Sequence, residues 1–240
     1  MPLQRDTLVN QAYAHLLEII GAMQPGKNKL PSEEALSKTL GVSRPTIRDV
    51  LKRLSKDGYI TTIHGIGTFG HPSMLAMKGR IDINADFFKL LQGQYDNVAV
   101  ENIYHGVQRS SKSFCQAFNR QPQDVYSMLW NYTEAGQSAI MGAYEFPLNI
   151  IRSLPAPQEK YIDLIKFSQN CLFHRIAYCT MRLGAIQSAQ ISKQFGLNEN
   201  TILLNIKEII YDIRDCPVGY ASCYIHPQKV QLTMAVQFNS

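Results

Sequence analysis

No stretch of this 240-residue chain approaches the ~18 consecutive apolar residues that a membrane-spanning helix needs. The opening, MPLQRDTLVN, lacks the apolar core of a secretory signal. Both absences lead us to expect a soluble, cytoplasmic protein with no membrane partner. Cysteine is sparse: Cys115, Cys171, Cys179, Cys216 and Cys223 are odd in number and contain no CxxC. That pattern suits reduced thiols better than a disulfide framework or a zinc site, so no metal is expected. Paired carboxylates, a Ser/His/Asp order and a supported Cys/His motif are also missing. His174 lies in NCLFHRIAY, an apolar surround that suits a structural histidine. Neither an enzyme nor a cofactor is expected.

Net charge is modest at +5, but it is unevenly placed. Between Ser43 and Lys56 stand Arg44, Arg48, Lys52, Arg53 and Lys56 against the single acid Asp49. A local basic stripe fits a reader of duplex DNA better than a bulk polycation does. The stretch that carries it, SRPTIRDVLKRLSKDG, has the marks of a helix. Ser43 can cap its start, Pro45 fits the first turn, and Gly58 suits the left-handed residue past its end. Ile47, Val50, Leu51 and Leu54 form one apolar stripe, while Arg44, Arg48 and Lys52 recur on another face. A shorter helix precedes it, opened by Pro31 and Ser32, with Glu33 and Glu34 at its positive end. Gly41-Val42 makes the turn between the two. After Gly58, Tyr59–Ile63 reads as a strand, His64-Gly65-Ile66-Gly67 as a sharp turn, and Thr68-Phe69 as the return. Residues 8–23 supply a third helix, with Leu8, Ala12, Leu16, Ile19, Ile20 and Met23 inward and Pro25-Gly26 as its stop. Tyr13 and His15 read as ordinary surface or half-buried residues.

This region resembles the winged helix-turn-helix domain of GntR-family transcription regulators. The resemblance rests on Leu30-Pro31-Ser32-Glu33, Gly41-Val42-Ser43-Arg44, Thr46, Arg48 and Gly65-x-Gly67-Thr68-Phe69. It implies DNA contacts at Ser43, Arg44, Thr46 and Arg48, and in the wing at His64 and Gly65. An arginine can pair bidentately with guanine in the major groove. Glu34 departs from the family, where many members carry arginine; an acid there repels phosphate and weakens the part played by the second helix.

The remaining chain reads as a second domain. Asp86–Leu91 is a short helical piece and Val98–Val107 a strand. Residues 111–147 and 188–224 then align without a gap at an offset of 77. Phe114 falls on Ile191, Asn119 on Gly196, Val125 on Ile202 and Gly142 on Gly219. Each copy reads as helix, strand, turn, strand, so we expect one antiparallel sheet with pseudo-twofold symmetry. Gly136–Pro147, Phe195-Gly196-Leu197, Tyr211-Asp212 and Pro217-Val218-Gly219-Tyr220 resemble the UTRA effector domain of the HutC subfamily. The expected class is therefore α+β: winged helix-turn-helix over 1–70, linker over 71–80, and a chorismate-lyase-like UTRA domain over 81–240.

That resemblance implies a small-molecule effector, a homodimer and an operator of near-palindromic DNA, with repression as the expected outcome. Sugar-phosphate-binding relatives use two arginines and a glutamate where this chain has Trp130, Tyr132 and Gly142. A further glutamate, in the second copy, gives way to Gly219. Asp86 stands at the helix start where relatives hold phosphate through backbone N–H groups. Lost cations and an added acid disfavour a sugar phosphate. Two glycines and the aromatics Trp130, Tyr132, Tyr144, Tyr220 and Tyr224 suggest a roomier, more apolar pocket. Arg109, Arg175 and Arg182 leave a carboxylate ligand open. The alternative is a DNA-binding protein whose second domain serves dimerisation and senses nothing.

Overall fold

The computed structural model describes residues 3–24, 26–82, 86–155 and 164–236. These fall into two compact units: residues up to 82 with 233–236, and residues 86–155 with 164–232.

In the first unit, α1 (Leu3–Gly21), α2 (Glu33–Leu40) and α3 (Arg44–Lys56) precede a two-stranded wing of β1 (Ile60–Ile63) and β2 (Gly67–Gly70). Pro25, half of the expected stop after α1, lies outside the described residues. Ser32 and Ser43 cap α2 and α3, accepting from the N–H groups of Ala35 and Thr46. Gly41 ends α2 at φ 64°, a left-handed value that glycine takes at little cost. Ala12, Leu16, Ile20, Leu36, Ile47, Val50, Leu54 and Ile60 form the buried core. Leu8 is not part of it and is 45% exposed. Residues 71–80, expected as a linker, pack on this unit instead. The His71 N–H donates to the Tyr59 carbonyl, and α4 (Pro72–Leu75) brings Leu75 against the core. Arg80 donates to the Asp57 carbonyl, and the backbone pairs Arg80 with Thr233.

The second unit opens with α5 (Phe87–Gln92) and β3 (Val98–Arg109), then α6 (Lys112–Phe118), β4 (Asp124–Glu134) and β5 (Gln137–Pro147). After α7 (Leu164–Cys171) the pattern recurs as β6 (Ile176–Gln187), α8 (Ala189–Gln194), β7 (Ile202–Asp212) and β8 (Pro217–Ile225). One antiparallel sheet of six strands results, in the order β3-β4-β5-β8-β7-β6. The order is the same read from either edge, so the two copies meet at the β5–β8 pair.

The offset between copies is not constant. Ser111 and Ser188 cap α6 and α8, 77 residues apart, and Asn119 and Gly196 both follow at positive φ. By the strands, one residue has been gained. Tyr104 pairs with Leu129, and 78 residues on, Arg182 pairs with Lys207. The second hairpin turn is one residue longer, so β5 maps to β8 at 79. Both strands bulge at the same place, after Ser138 and after Pro217. Gly142 therefore corresponds to Ala221, and Gly219 to Ile140. The expected glycine match fails, because an ungapped alignment cannot see one residue added in a loop.

Candidate nucleic-acid interface and effector face

Arg44 and Arg48 are exposed on one side of α3, opposite Ile47, Val50 and Leu54. Both are engaged with α2. Arg44 Nη2 lies 2.8 Å from Glu34, which also meets Lys38 at 3.2 Å. Arg48 Nε donates to Glu33 Oε2 at 2.7 Å. These pairs are exposed, and such pairs are worth about 0–1 kcal/mol, so a polyanion can displace them. Thr46 is turned inward at 8% exposed, and its hydroxyl shares a 2.8 Å hydrogen bond with Ser43 Oγ. Its place makes it a brace for the cap. Arg53 lies over the Tyr13 ring at 4.3 Å and donates to Asn10, so it faces α1. In the wing, His64 and Gly65 sit exposed in the turn, with Gly65 at φ 75°. A Cβ at Gly67 would fall 2.6 Å from Lys29 Cε, so glycine there lets that lysine lie along the wing.

Strand parity sorts the second candidate group. Trp130 and Tyr132 on β4, Gly142 and Tyr144 on β5, and Gly219 on β8 share one face of the sheet. Asp86 caps α5 by accepting from Phe88 and Lys89, and Phe87 meets the Tyr132 ring edge-on at 6.2 Å. Phe167 of α7 stacks on Tyr126 and leans on Phe146 over the same face. Tyr220 and Tyr224 point to the opposite face, where α6 and α8 pack, so Tyr224 cannot line one cavity with Trp130. The expected room at the glycines is occupied. A Cβ on Gly142 would meet the Tyr144 ring at 2.9 Å, and one on Gly219 would meet the Phe146 ring at 2.6 Å. Trp130 is 3% exposed, within this aromatic layer.

Glu208 is the functional candidate that the sequence reading missed. It stands on β7 where Trp130 stands on β4, between Ala221 and Met181 of the neighbouring strands. It is 1% exposed, and neither carboxylate oxygen has a hydrogen-bond partner among the described residues. Burial pushes its carboxyl up to about 7. Tyr144 and Cys223 lie near enough for the Glu208 charge to raise them further. The signal was present in the alternation Ile206, Glu208, Ile210, an acid at an inward position.

Residues 8–69 match the model of the gntR family of bacterial regulatory proteins. The fatty acid metabolism regulator protein of Haemophilus influenzae is 49% identical over 182 residues, covering 75% of this chain and 73% of that protein. The chain belongs to the GntR family. A protein of the same description from Shewanella frigidimarina is 39% identical over 87 residues, and the match spans 36% of it, about a third. Among solved structures, YydK of Bacillus subtilis, a possible transcriptional regulator, aligns at a TM-score of 0.75 and 21% identity. That alignment covers 97% of this chain and 99% of YydK. PhnF of Mycobacterium smegmatis aligns at a TM-score of 0.54 and 12% identity, over 95% of this chain and 100% of PhnF. These two likenesses concern the fold.

GntR membership makes the helix-turn-helix a DNA-binding element and the chain a transcription regulator rather than an enzyme. Among the described residues, no helix is long and apolar enough to cross a membrane. Within this GntR chain, Glu34 holds the Arg44 guanidinium in an exposed ion pair. A Glu34→Gln variant should bind duplex DNA about two- to fivefold more tightly, because an exposed pair is lost and a repelling charge removed. Fluorescence anisotropy at fixed salt measures this; unchanged affinity would mean that Arg44 does not approach the duplex.

Proposed function

We propose that this regulator is a metabolite-responsive, cytoplasmic repressor that acts as a homodimer on a near-palindromic operator. The exposed Arg44/Arg48 row on a capped helix carries the proposal. Arg44 and Arg48 read bases or phosphates, Ser43 with Thr46 holds the helix start against the backbone, and His64 with Gly65 places the wing. The twofold character follows from symmetry: paired half-sites suit a paired protein.

Arg48→Ala tests the reading. It should weaken operator binding by about 1–3 kcal/mol with the fold intact, since the side chain is exposed. Operator and random duplex are compared by anisotropy at one salt concentration. A variant that discriminates between them as well as the parent would exclude base reading by Arg48.

For the effector we infer a ligand with apolar or ring surface, held on the face of Trp130, Tyr132, Tyr144 and the Asp86-capped helix, and not a sugar phosphate. The lack of a cation among these residues supports this, as does the likeness to the Haemophilus influenzae fatty acid metabolism regulator protein. The rings over Gly142 and Gly219 favour a second reading, in which the domain only dimerises. Thermal shifts against a metabolite panel separate the two, since a ligand of the native state raises the midpoint.

A further inference from the structure

We propose that the sheet carries a second ligand site, for a small oxyanion, on the face opposite Trp130 and Tyr144. A cleft of about 280 Å³ lies there between α6 and strands β6, β7 and β8. Its walls include Arg182, Lys207, Ser113, Thr180 and Tyr220. Arg182 and Lys207 are registered directly opposite each other on adjacent strands. Like charges so placed repel. Neither has an ion pair with any acid among the described residues. Glu208, next to Lys207 in sequence, points to the other face. An anion between the two cations converts the repulsion into attraction.

The polar lining adds a second, independent sign. Tyr220 is 3% exposed, yet its hydroxyl has no well-formed hydrogen bond among the described residues, although Ser113 and Ser222 border it. A buried hydroxyl left without a partner is costly, and a ligand oxygen would satisfy it. The other half of the sheet shows that the fold does not need this arrangement. There Tyr104 pairs with Leu129 where Arg182 pairs with Lys207, and Met141 takes the place of Tyr220. Met141 packs under Phe195 in an apolar cluster. One half is thus filled with side chains, and the other holds two cations and hydroxyls around a space. Guanidinium and ammonium together suit a carboxylate or a phosphate, which arginine grips in bidentate fashion.

The test uses the full chain, with inorganic phosphate and succinate as probes and sodium chloride holding ionic strength constant. Calorimetry should show saturable binding of at least one probe. Phosphate alone would mark a phosphorylated ligand, and succinate alone a carboxylate; either outcome supports the site. Arg182→Gln with Lys207→Gln should weaken that binding about a hundredfold, roughly tenfold for each charge-assisted contact. Tyr220→Phe, which leaves the charge unchanged, should weaken it about tenfold by the same reasoning. Arg44→Ala with Arg48→Ala controls for the basic face of α3 and should leave the probe affinity as it was. The thermal midpoint without anion confirms that each variant folds. Absence of saturable binding by both probes, or equal affinity in the Arg182/Lys207 variant, would overturn the proposal. Neither result bears on the aromatic face, so the effector reading stands or falls separately.

Discussion

Phe146→Ala is expected to destabilise the second unit by about 3–5 kcal/mol, the usual range for emptying a phenylalanine site in a core. Phe146 is fully buried. Its ring stands 4.7 Å from Phe167 and covers Gly219, where a Cβ would come within 2.6 Å of it. The strands on both sides are hydrogen-bonded to their neighbours, so the hole cannot close by collapse. Gly219→Ala alone should cost about 1–3 kcal/mol by overpacking. In the Phe146→Ala background the added methyl enters vacated space, so the two costs should fall short of additive by about 0.5–3 kcal/mol. Urea unfolding of the four proteins in the cycle measures this. Additive costs would mean that the ring has another place to go, and that the aromatic face holds room for a ligand.

Glu208→Gln should make the protein more stable at pH 8 by about 3 kcal/mol and leave it little changed near pH 4. The cause is the buried carboxyl, which loses its proton at about 7 instead of the ordinary 4.5. Between those values the unfolded chain has released the proton and the folded chain retains it. Folding stability therefore falls as pH rises through that window, then levels off once the folded carboxyl is also charged. Glutamine keeps the shape of the protonated acid and cannot ionise, so the contribution to the slope disappears. Thermal melts of parent and variant across pH 4–8.5 at one salt concentration provide the check, about half a unit apart. Parallel curves would show that Glu208 is ionised or partnered in the native state, in contradiction to its burial without a partner.

These two side chains mark the limit of what could be read without the fold. The three helices and wing were legible because their signals are local. A serine cap, a proline in the first turn, a left-handed glycine and an apolar stripe each act within a few residues. The antiparallel sheet was legible as a repeat, since its helix ends, Asn119 and Gly196, recur at a fixed distance, but its edge strand β6 (Ile176–Gln187) was not read. The basic row of α3 was legible for the same reason. Its pairing with Glu33 and Glu34 was only half legible: Glu34 stood out as a departure from the family, while Glu33, fifteen positions from Arg48, did not.

By itself, then, the sequence determined the two-part organisation, the type of most elements and the basic face of α3, all set by interactions among near neighbours. Tertiary structure alone decided which strand residues share a face. One residue added before β7 and another in the last hairpin turn moved Gly219 out of correspondence with Gly142. Strand parity put Tyr224 behind the sheet, buried Glu208 in the aromatic layer, and set Arg182 against Lys207. Such outcomes depend on register between strands tens of residues apart, and a shift of one residue reverses the face of every side chain that follows.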